Sequence, residues 1–132
     1  MNMPRRNDNP ALRREYMDAN PRCELGPFRR RVLGVTTCHG DGSECHHILG
    51  GSSRVDVWSN FLHACWECHR WETANPVEGR LVSCLVKFSK GELDPTMRTP
   101  NNSILGGWLA NNRPHDERLV PLWEQMVEEL RV

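Results

Sequence analysis

Two adjacent histidines, His46 and His47, are the residues of this sequence whose types and spacing are best suited to chemistry. On an extended strand, neighbouring side chains point to opposite faces, so one imidazole could bind a metal ion while the other faces a substrate. A metal ion offers positive charge to a scissile phosphate, and a neutral imidazole can take a proton from water. His69 is a second candidate ligand, and the amide of Asn60 could orient the base or fix a loop. This set of residues predicts metal-assisted hydrolysis.

The chain also contains six cysteines, of which Cys65 and Cys68 have the two-residue spacing of a metal-binding pair. That spacing lets both thiolates turn towards one tetrahedral ion. Cys45 adjoins the histidine pair in an apparently extended segment, and Cys84 lies in an apolar run that is typical of a core. The alternative to a metal site is a set of buried or unpaired thiols. We predict a structural zinc site formed by Cys23, Cys38, Cys65 and Cys68.

The elements that must position these residues begin with a short helix over residues 10–19, which starts at Pro10 and ends before Pro21. The next signals predict a strand over 31–37, a tight turn over 39–43, an extended segment over 45–49 and a returning segment over 55–62. A helix is expected from about Cys65 to about Thr73, because Asn75 and Pro76 follow it.

Beyond this region, residues 79–87 contain a strand-like apolar run, and residues 88–115 have the composition of a loop or linker. The tail over 116–130 suits a helix with one apolar face. That face could pack onto the body of the domain, or it could contact a second copy of the chain or another protein. Its members are Leu119, Trp123, Met126, Val127 and Leu130.

Length and charge limit the classes to which the chain can belong. With 132 residues, 38% of them hydrophobic, we expect one compact domain whose modest core is further stabilised by a bound metal ion. The net charge of zero excludes a uniformly basic nucleic-acid-binding protein, but residues 1–35 hold eight arginines against four acidic residues. No apolar run resembles a signal peptide or a membrane span, so we expect a cytoplasmic protein without membrane contact.

At the histidines and cysteines, the sequence resembles the HNH nuclease family, whose core is the ββα-metal or His-Me finger. The matching segments are Glu44-Cys-His-His-Ile-Leu-Gly-Gly51 and Ser59-Asn-Phe-Leu-His-Ala-Cys-Trp-Glu-Cys-His69. They are similar to the family pattern of a histidine pair, a Gly-Gly loop, an asparagine and a C-x-x-C-H motif. Cys38 and the lead-in from Arg14 to Glu24 resemble zinc-bearing members from phages and prophages. The match covers roughly residues 11–83.

The resemblance implies a role for each matching residue. His46 and His69 would hold one catalytic divalent ion, either Mg²⁺ or else Mn²⁺, Ni²⁺ or Zn²⁺. His47 would be the general base, and Asn60 would hold the base and the hairpin. Thr73 stands where many relatives carry a further histidine, which implies a poorer metal shell, and Phe61 replaces the leucine of the family.

We therefore expect an α+β fold with a ββα-metal core and a four-cysteine zinc site, flanked by an N-terminal and a C-terminal helix. The chain would divide into a flexible basic arm (1–9), a nuclease domain (10–87), a loop or linker (88–115) and a C-terminal helix (116–132).

The expected activity is hydrolysis of phosphodiester bonds in DNA, by nicking or double-strand cutting, with little sequence preference. One alternative is a catalytically weak or inactive zinc-stapled module that binds nucleic acid. Another is an HNH subunit of a phage packaging or mobility complex. Contacts with the DNA backbone would come from Arg13, Arg14, Arg29, Arg30, Arg31 and Arg70.

Overall fold

The computed structural model describes residues 8–35, 37–51, 54–98 and 104–131. Within these ranges the chain forms six α-helices and one antiparallel sheet of two strands, which confirms the predicted α+β class. The helices are α1 (Pro10–Ala19), α2 (Gly26–Leu33), α3 (Trp66–Ala74), α4 (Pro76–Ser89), α5 (Leu105–Ala110) and α6 (Val120–Glu129). The strands are β1 (Glu44–His47) and β2 (Phe61–Ala64). Most of the predicted arm at 1–9 lies outside the described residues.

Strands β1 and β2 form a hairpin that fixes the positions of the two histidines. His46 lies opposite Leu62 and His47 lies opposite Phe61 in the antiparallel register. Every residue of β2 is buried, so this strand anchors β1 to the core. The chain then turns directly into α3, where the side chain of Cys65 caps the first turn. The order along the chain is therefore strand, loop, strand and helix, as the sequence predicts for this part.

The core lies between the hairpin and the remaining helices. Its largest fully buried side chains come from every layer of the fold and include Leu25, Ile48, Phe61, Leu81, Leu109 and Met126. Burial of such side chains is the main stabilising contribution in a chain of this size. Helices α5 and α6 pack against each other, and α6 also contacts α4. The apolar face of the tail is therefore used for packing: Leu119 and Met126 are buried, and Trp123 Nε1 donates a hydrogen bond to the carbonyl of Leu109.

Part of one predicted strand and the whole of another are helical in the structure. Residues 31–33 belong to α2, which ends at Leu33 and is followed by Gly34 with a left-handed φ of 67°. The β-branched residues of this stretch favour a strand locally, but Phe28, Arg29 and Leu33 are buried at a helical spacing. Residue 36, within the predicted strand, lies outside the described residues.

The run over residues 79–87 lies within α4, with Pro76 at its first position. Residues 81–84 are all buried, followed by Lys87, so burial along this run does not alternate as it would in a half-exposed strand. The stretch predicted to be a loop or linker also contains the short helix α5. The N-terminal helix and the helix after Cys65 have the bounds expected within one residue, because their capping signals are local. In the described part of the chain, no helix is long and apolar enough to cross a membrane.

Candidate metal centres and catalytic pocket

Four cysteines from three separate segments meet beside the N-terminus of α3. Their sulfur atoms all lie within 4.8 Å of one another, and those of Cys38 and Cys65 are 4.0 Å apart. Sulfurs that share a tetrahedral zinc with bonds of about 2.3 Å are separated by about 3.8 Å. The structure thus brings together the four cysteines that the sequence analysis groups, namely Cys23, Cys38, Cys65 and Cys68. Their geometry is compatible with a zinc site.

Local structure turns the sulfurs inwards. The backbone N–H of Cys68 donates to the sulfur of Cys65 at 3.4 Å, and the N–H of Gly40 donates to that of Cys38 at 3.3 Å. Such N–H groups stabilise thiolates. At Gly26 there is no room for a side chain, because an added Cβ would overlap the sulfur of Cys38. The glycine at the start of α2 is therefore part of the site.

The charges of this cluster favour a bound cation. Hydrogen bonding from Cys68 lowers the pKa of Cys23 to about 4, whereas burial raises the pKa of Cys38. The pKa of Cys68 is also raised, because it donates its proton to Cys23. Four thiolates at this distance repel one another unless a positive ion lies between them. The donor set therefore fits a structural zinc.

The remaining cysteines lie outside this cluster. Cys84 is fully buried in α4, as expected for a core residue, and burial raises its pKa to about 12. Cys45 is half-buried in β1, and its pKa is raised to about 11 mainly by burial. Both thiols are therefore neutral at pH 7.

A second ligand group combines a residue of β1 with two residues of α3. His46, His69 and Glu72 each offer a ligand atom, and these atoms lie within 4.8 Å of one another. His46 Nδ1 and Glu72 Oε2 are 3.4 Å apart. Two ligands at about 2.1 Å from one ion are separated by about 3.0–3.4 Å at octahedral or tetrahedral angles. The group fits a divalent cation that accepts nitrogen and oxygen ligands.

Neighbouring polar groups set the two imidazoles for metal binding. His46 Nε2 lies 3.1 Å from the buried hydroxyl of Ser83, which leaves Nδ1 for the ion. His69 Nδ1 lies 3.6 Å from a carboxylate oxygen of Glu44. Burial, followed by the neighbouring histidines, lowers the pKa of His46 to about 3. His46 is therefore neutral at pH 7, the form that binds metals.

Glu72 is a functional candidate that the sequence analysis missed. The position predicted to matter is Thr73, four residues after His69, and its hydroxyl donates to the carbonyl of His69. Glu72 lies three residues after His69 and therefore on the same helix face, a spacing that could have identified it. Burial raises the pKa of Glu72 to about 7. A cation beside it would favour the ionised carboxylate.

His47 is bound to a buried carboxylate that is also absent from the sequence prediction. Its Nε2 lies 2.8 Å from Asp56 Oδ1, and the side chain of Asp56 is only 1% exposed. The Arg13 guanidinium and the backbone N–H of Asn9 bind the other oxygen of Asp56. Burial opposes ionisation of Asp56, but these donors lower its pKa to about 2. The ionised carboxylate can only accept, whereas Arg54 Nε, 3.2 Å from the same Nε2, can only donate. The shorter contact with Asp56 favours a proton on Nε2, and this tautomer leaves Nδ1 as the basic nitrogen.

Asn60 holds the loop between the strands. Its side-chain amide donates to the carbonyls of Leu49 and Val55, and its oxygen accepts from the N–H of Leu49. Within the described residues, all of its side-chain hydrogen bonds go to this loop, which carries Asp56. The structure thus gives Asn60 the loop-fixing role considered for it, whereas Asp56 makes the direct contact with His47.

The ligand group and His47 line the same open pocket, with a volume of about 460 Å³. Two arginines, Arg54 and Arg80, lie on its walls. Arg54 Nε is 3.2 Å from His47 Nε2, and its charge, together with burial as the larger cause, lowers the pKa of His47. The pocket therefore combines a neutral imidazole base, candidate metal ligands and two cations.

Of the six arginines predicted to contact DNA, two are committed to the protein. Arg29 is 4% exposed, and its Nη1 lies 3.0 Å from the sulfur of Cys68, so the prediction of a phosphate contact at Arg29 is wrong. Arg13 forms ion pairs with Asp8 and Asp56, so its charge is used within the fold. The other four are exposed: Arg14, Arg30, Arg31 and Arg70.

Comparison of the chain with protein-family models, with curated proteins and with solved structures gives no match.

Proposed function

We propose that this chain is a metal-dependent endonuclease that hydrolyses phosphodiester bonds in DNA. The observation that carries the proposal is a single pocket that contains both a His-His-Glu ligand group and a histidine bound to a buried carboxylate. Metal-assisted hydrolysis needs these two components side by side. The order of β1, β2 and α3, with its sequence motifs, supports an HNH-like ββα-metal core.

The chain's own residues divide the chemistry. His46, His69 and Glu72 would hold the catalytic ion, which when bound supplies positive charge to the oxygens of the scissile phosphate. His47 removes a proton from the attacking water through Nδ1, since Nε2 donates to Asp56. Asp56 is a positioning residue, because it fixes the tautomer and orientation of the base and touches no substrate.

The mixed ligand group also suggests which ions activate the protein. Two imidazoles favour transition metals, whereas Mg²⁺ prefers a shell of oxygen atoms. We therefore expect Mn²⁺ or Ni²⁺ to support faster cleavage than Mg²⁺ at equal concentration. The four-cysteine cluster holds a separate zinc that stabilises the fold and supplies no group to the pocket.

The proposal is tested with supercoiled plasmid DNA and a panel of Mg²⁺, Mn²⁺ and Ni²⁺. The wild-type protein should convert the plasmid to nicked or linear forms, and His47→Ala should lose this activity by a factor of about 10² or more. His115→Ala is the matched control, because His115 is exposed and does not line the pocket. Failure of the wild-type protein to cut with any ion would contradict the proposal, and full activity of His47→Ala would remove His47 as the base.

A further inference from the structure

Arg80 on α4 is the one pocket residue that has charge but no described role. Helix α4 forms part of the wall of the pocket, where Pro76 and Arg80 line it at a spacing of four residues. Ser83, three residues further, is bonded to His46. Residues at these spacings share one helix face, so the face of α4 that carries Arg80 is turned towards the ligand group.

The guanidinium of Arg80 is held in place without using its hydrogen-bond donors. Its Cζ lies over the ring of Trp108 on α5, 4.4 Å from the centroid, and this cation–π contact holds the group in place. Among the described residues, Arg80 has no hydrogen bond or ion pair with another side chain or with the backbone. Within the described residues, the only buried side-chain nitrogen or oxygen without a hydrogen-bond partner is Arg29 Nε. The nitrogen atoms of Arg80, which also lack partners, are therefore accessible to solvent.

The second arginine of the pocket provides a contrast. Arg54 lies near Asp8, Asp56 and His47, so its charge is already matched by carboxylates. Glu72 lies in the same pocket as Arg80 and interacts with it electrostatically, but the two do not form an ion pair. A guanidinium with five free donors on a rigid platform, beside candidate metal ligands, is suited to a tetrahedral anion with several acceptor oxygens.

We infer that Arg80 binds a phosphate of the DNA backbone in this pocket, at the scissile phosphodiester or the one next to it. The inference rests on the proposed function for its ligand class. A guanidinium can bind two phosphate oxygens with parallel hydrogen bonds, and it also stabilises the charge that develops as the phosphorus–oxygen bond breaks. The cation–π contact with Trp108 preorganises the group, so that less side-chain entropy is lost on binding.

The first test measures DNA binding without cleavage. Arg80→Gln and Arg80→Lys are made in the His47→Ala background, without an added catalytic metal, and the Kd for a labelled duplex is measured by fluorescence anisotropy over a range of KCl concentrations. Arg80→Gln should raise the Kd roughly tenfold and reduce the slope of log K against log salt by about 0.9, the value for one lost phosphate contact. Arg80→Lys should keep the slope and recover only part of the affinity.

Arg131→Gln is the control, since Arg131 is exposed at the end of α6 and does not line the pocket. An unchanged Kd and slope for Arg80→Gln, or a change equal to that of Arg131→Gln, would overturn the inference. Absence of measurable binding by the background variant at the lowest salt would overturn it as well.

The second test measures single-turnover cleavage in the otherwise wild-type protein. Arg80→Gln should lower the rate by a factor of about 10²–10³, and Arg80→Lys should lower it less. The two tests separate the two proposals. If Arg80→Gln reduces the salt slope of binding but the protein never cuts DNA, the phosphate site is supported and the nuclease proposal is contradicted. If the protein cuts DNA and Arg80→Gln changes neither binding nor rate, the nuclease proposal is supported and the phosphate site is contradicted.

Discussion

Glu72 Oε2 lies 3.4 Å from His46 Nδ1, so a helix residue and a strand residue meet at the point where a divalent ion would bind. The sequence predicts a further ligand, if any, four positions after His69 in α3, but the residue that completes the ligand group is three positions after it. Thr73, at the fourth position, faces its own helix backbone. The candidate metal site therefore has a third protein ligand, even though no histidine lies four residues after His69.

The first prediction is that Glu72 contributes directly to metal affinity. Glu72→Ala should weaken Mn²⁺ binding by at least about 10- to 100-fold, the loss that is typical of removing even an outer partner of a metal site. The measurement is isothermal titration calorimetry on protein that retains its zinc. Glu67→Gln, in the first turn of the same helix but outside the ligand group, should bind Mn²⁺ like the wild-type protein. Equal affinity for Glu72→Ala would remove Glu72 from the site.

The second prediction concerns the contact between Asp56 and His47. In Asp56→Asn the amide can offer its NH₂ group to Nε2, which stabilises the tautomer that has lost its base at Nδ1. The cleavage rate at saturating DNA should therefore fall by about 10² or more, while Mn²⁺ affinity and KM stay close to the wild-type values. Asp8→Asn is the control, because Asp8 also pairs with Arg13 but does not contact His47. A rate similar to that of the wild-type protein would show that Asp56 only stabilises the loop.

How much of this site can be read from the sequence depends on whether the signal is local. The cysteine pair and the helix after it follow from short spacings, and so does the position of His69. Glu72 could also have been found from helix periodicity. By contrast, Asp56 lies in an irregular loop and reaches His47 only because Asn60 holds that loop by three hydrogen bonds. No spacing in the sequence encodes this contact.

The predictions for residues 31–33 and for Arg29 failed because tertiary packing, which short sequence patterns do not reveal, determines their structure. Residues 31–33 have a local preference for a strand, but their helix is decided by what α2 packs against. Arg29 looks like its exposed neighbours Arg30 and Arg31 in the sequence, yet it points into the cysteine cluster and lies against Trp71. Burial of a single member of an arginine run is a tertiary property, so charge patterning alone could not separate it from the others.

The third prediction is a pH dependence of stability that comes from Asp56. Its pKa is lowered from 3.8 to about 2 in the fold, so its ionised form stabilises the protein above pH 4, and this contribution is lost as the pH falls through 2. The shift corresponds to about 2 kcal/mol for this nearly unexposed carboxylate. In urea unfolding, the difference in free energy of unfolding between the wild-type protein and Asp56→Asn should shrink by about that amount between pH 6 and pH 2. Because both proteins contain the same cysteine cluster, loss of zinc in acid affects both, and a constant difference would contradict the prediction.

The fourth prediction is that the cysteine cluster binds one zinc ion on which folding depends. Cys65→Ser should lose the zinc and give an unfolded chain, because the proposed thiolate ligand is replaced by a hydroxyl, even though serine can still cap α3. Cys45→Ser should keep a full equivalent of zinc, since Cys45 lies outside the cluster. Elemental analysis with circular dichroism of both variants provides the measurement. A folded Cys65→Ser protein with a full equivalent of zinc would exclude this ligand set.

The fifth prediction separates the geometry of the cluster from its ligands. Gly26→Ala changes no ligand, but its Cβ would overlap the sulfur of Cys38, so either α2 or Cys38 must move. We therefore expect weaker zinc retention against a competing chelator and a lower melting temperature, although alanine favours a helix over glycine by about 1 kcal/mol. Gly107→Ala is the matched control, because it also lies in a helix and its added Cβ would meet only Ile104 Cγ1 at 3.8 Å, an ordinary contact. The control should keep its zinc and melt at the same or a higher temperature. If both variants gain stability and hold zinc equally well, the close approach of α2 to Cys38 does not limit the site, and the helix is free to move away from it.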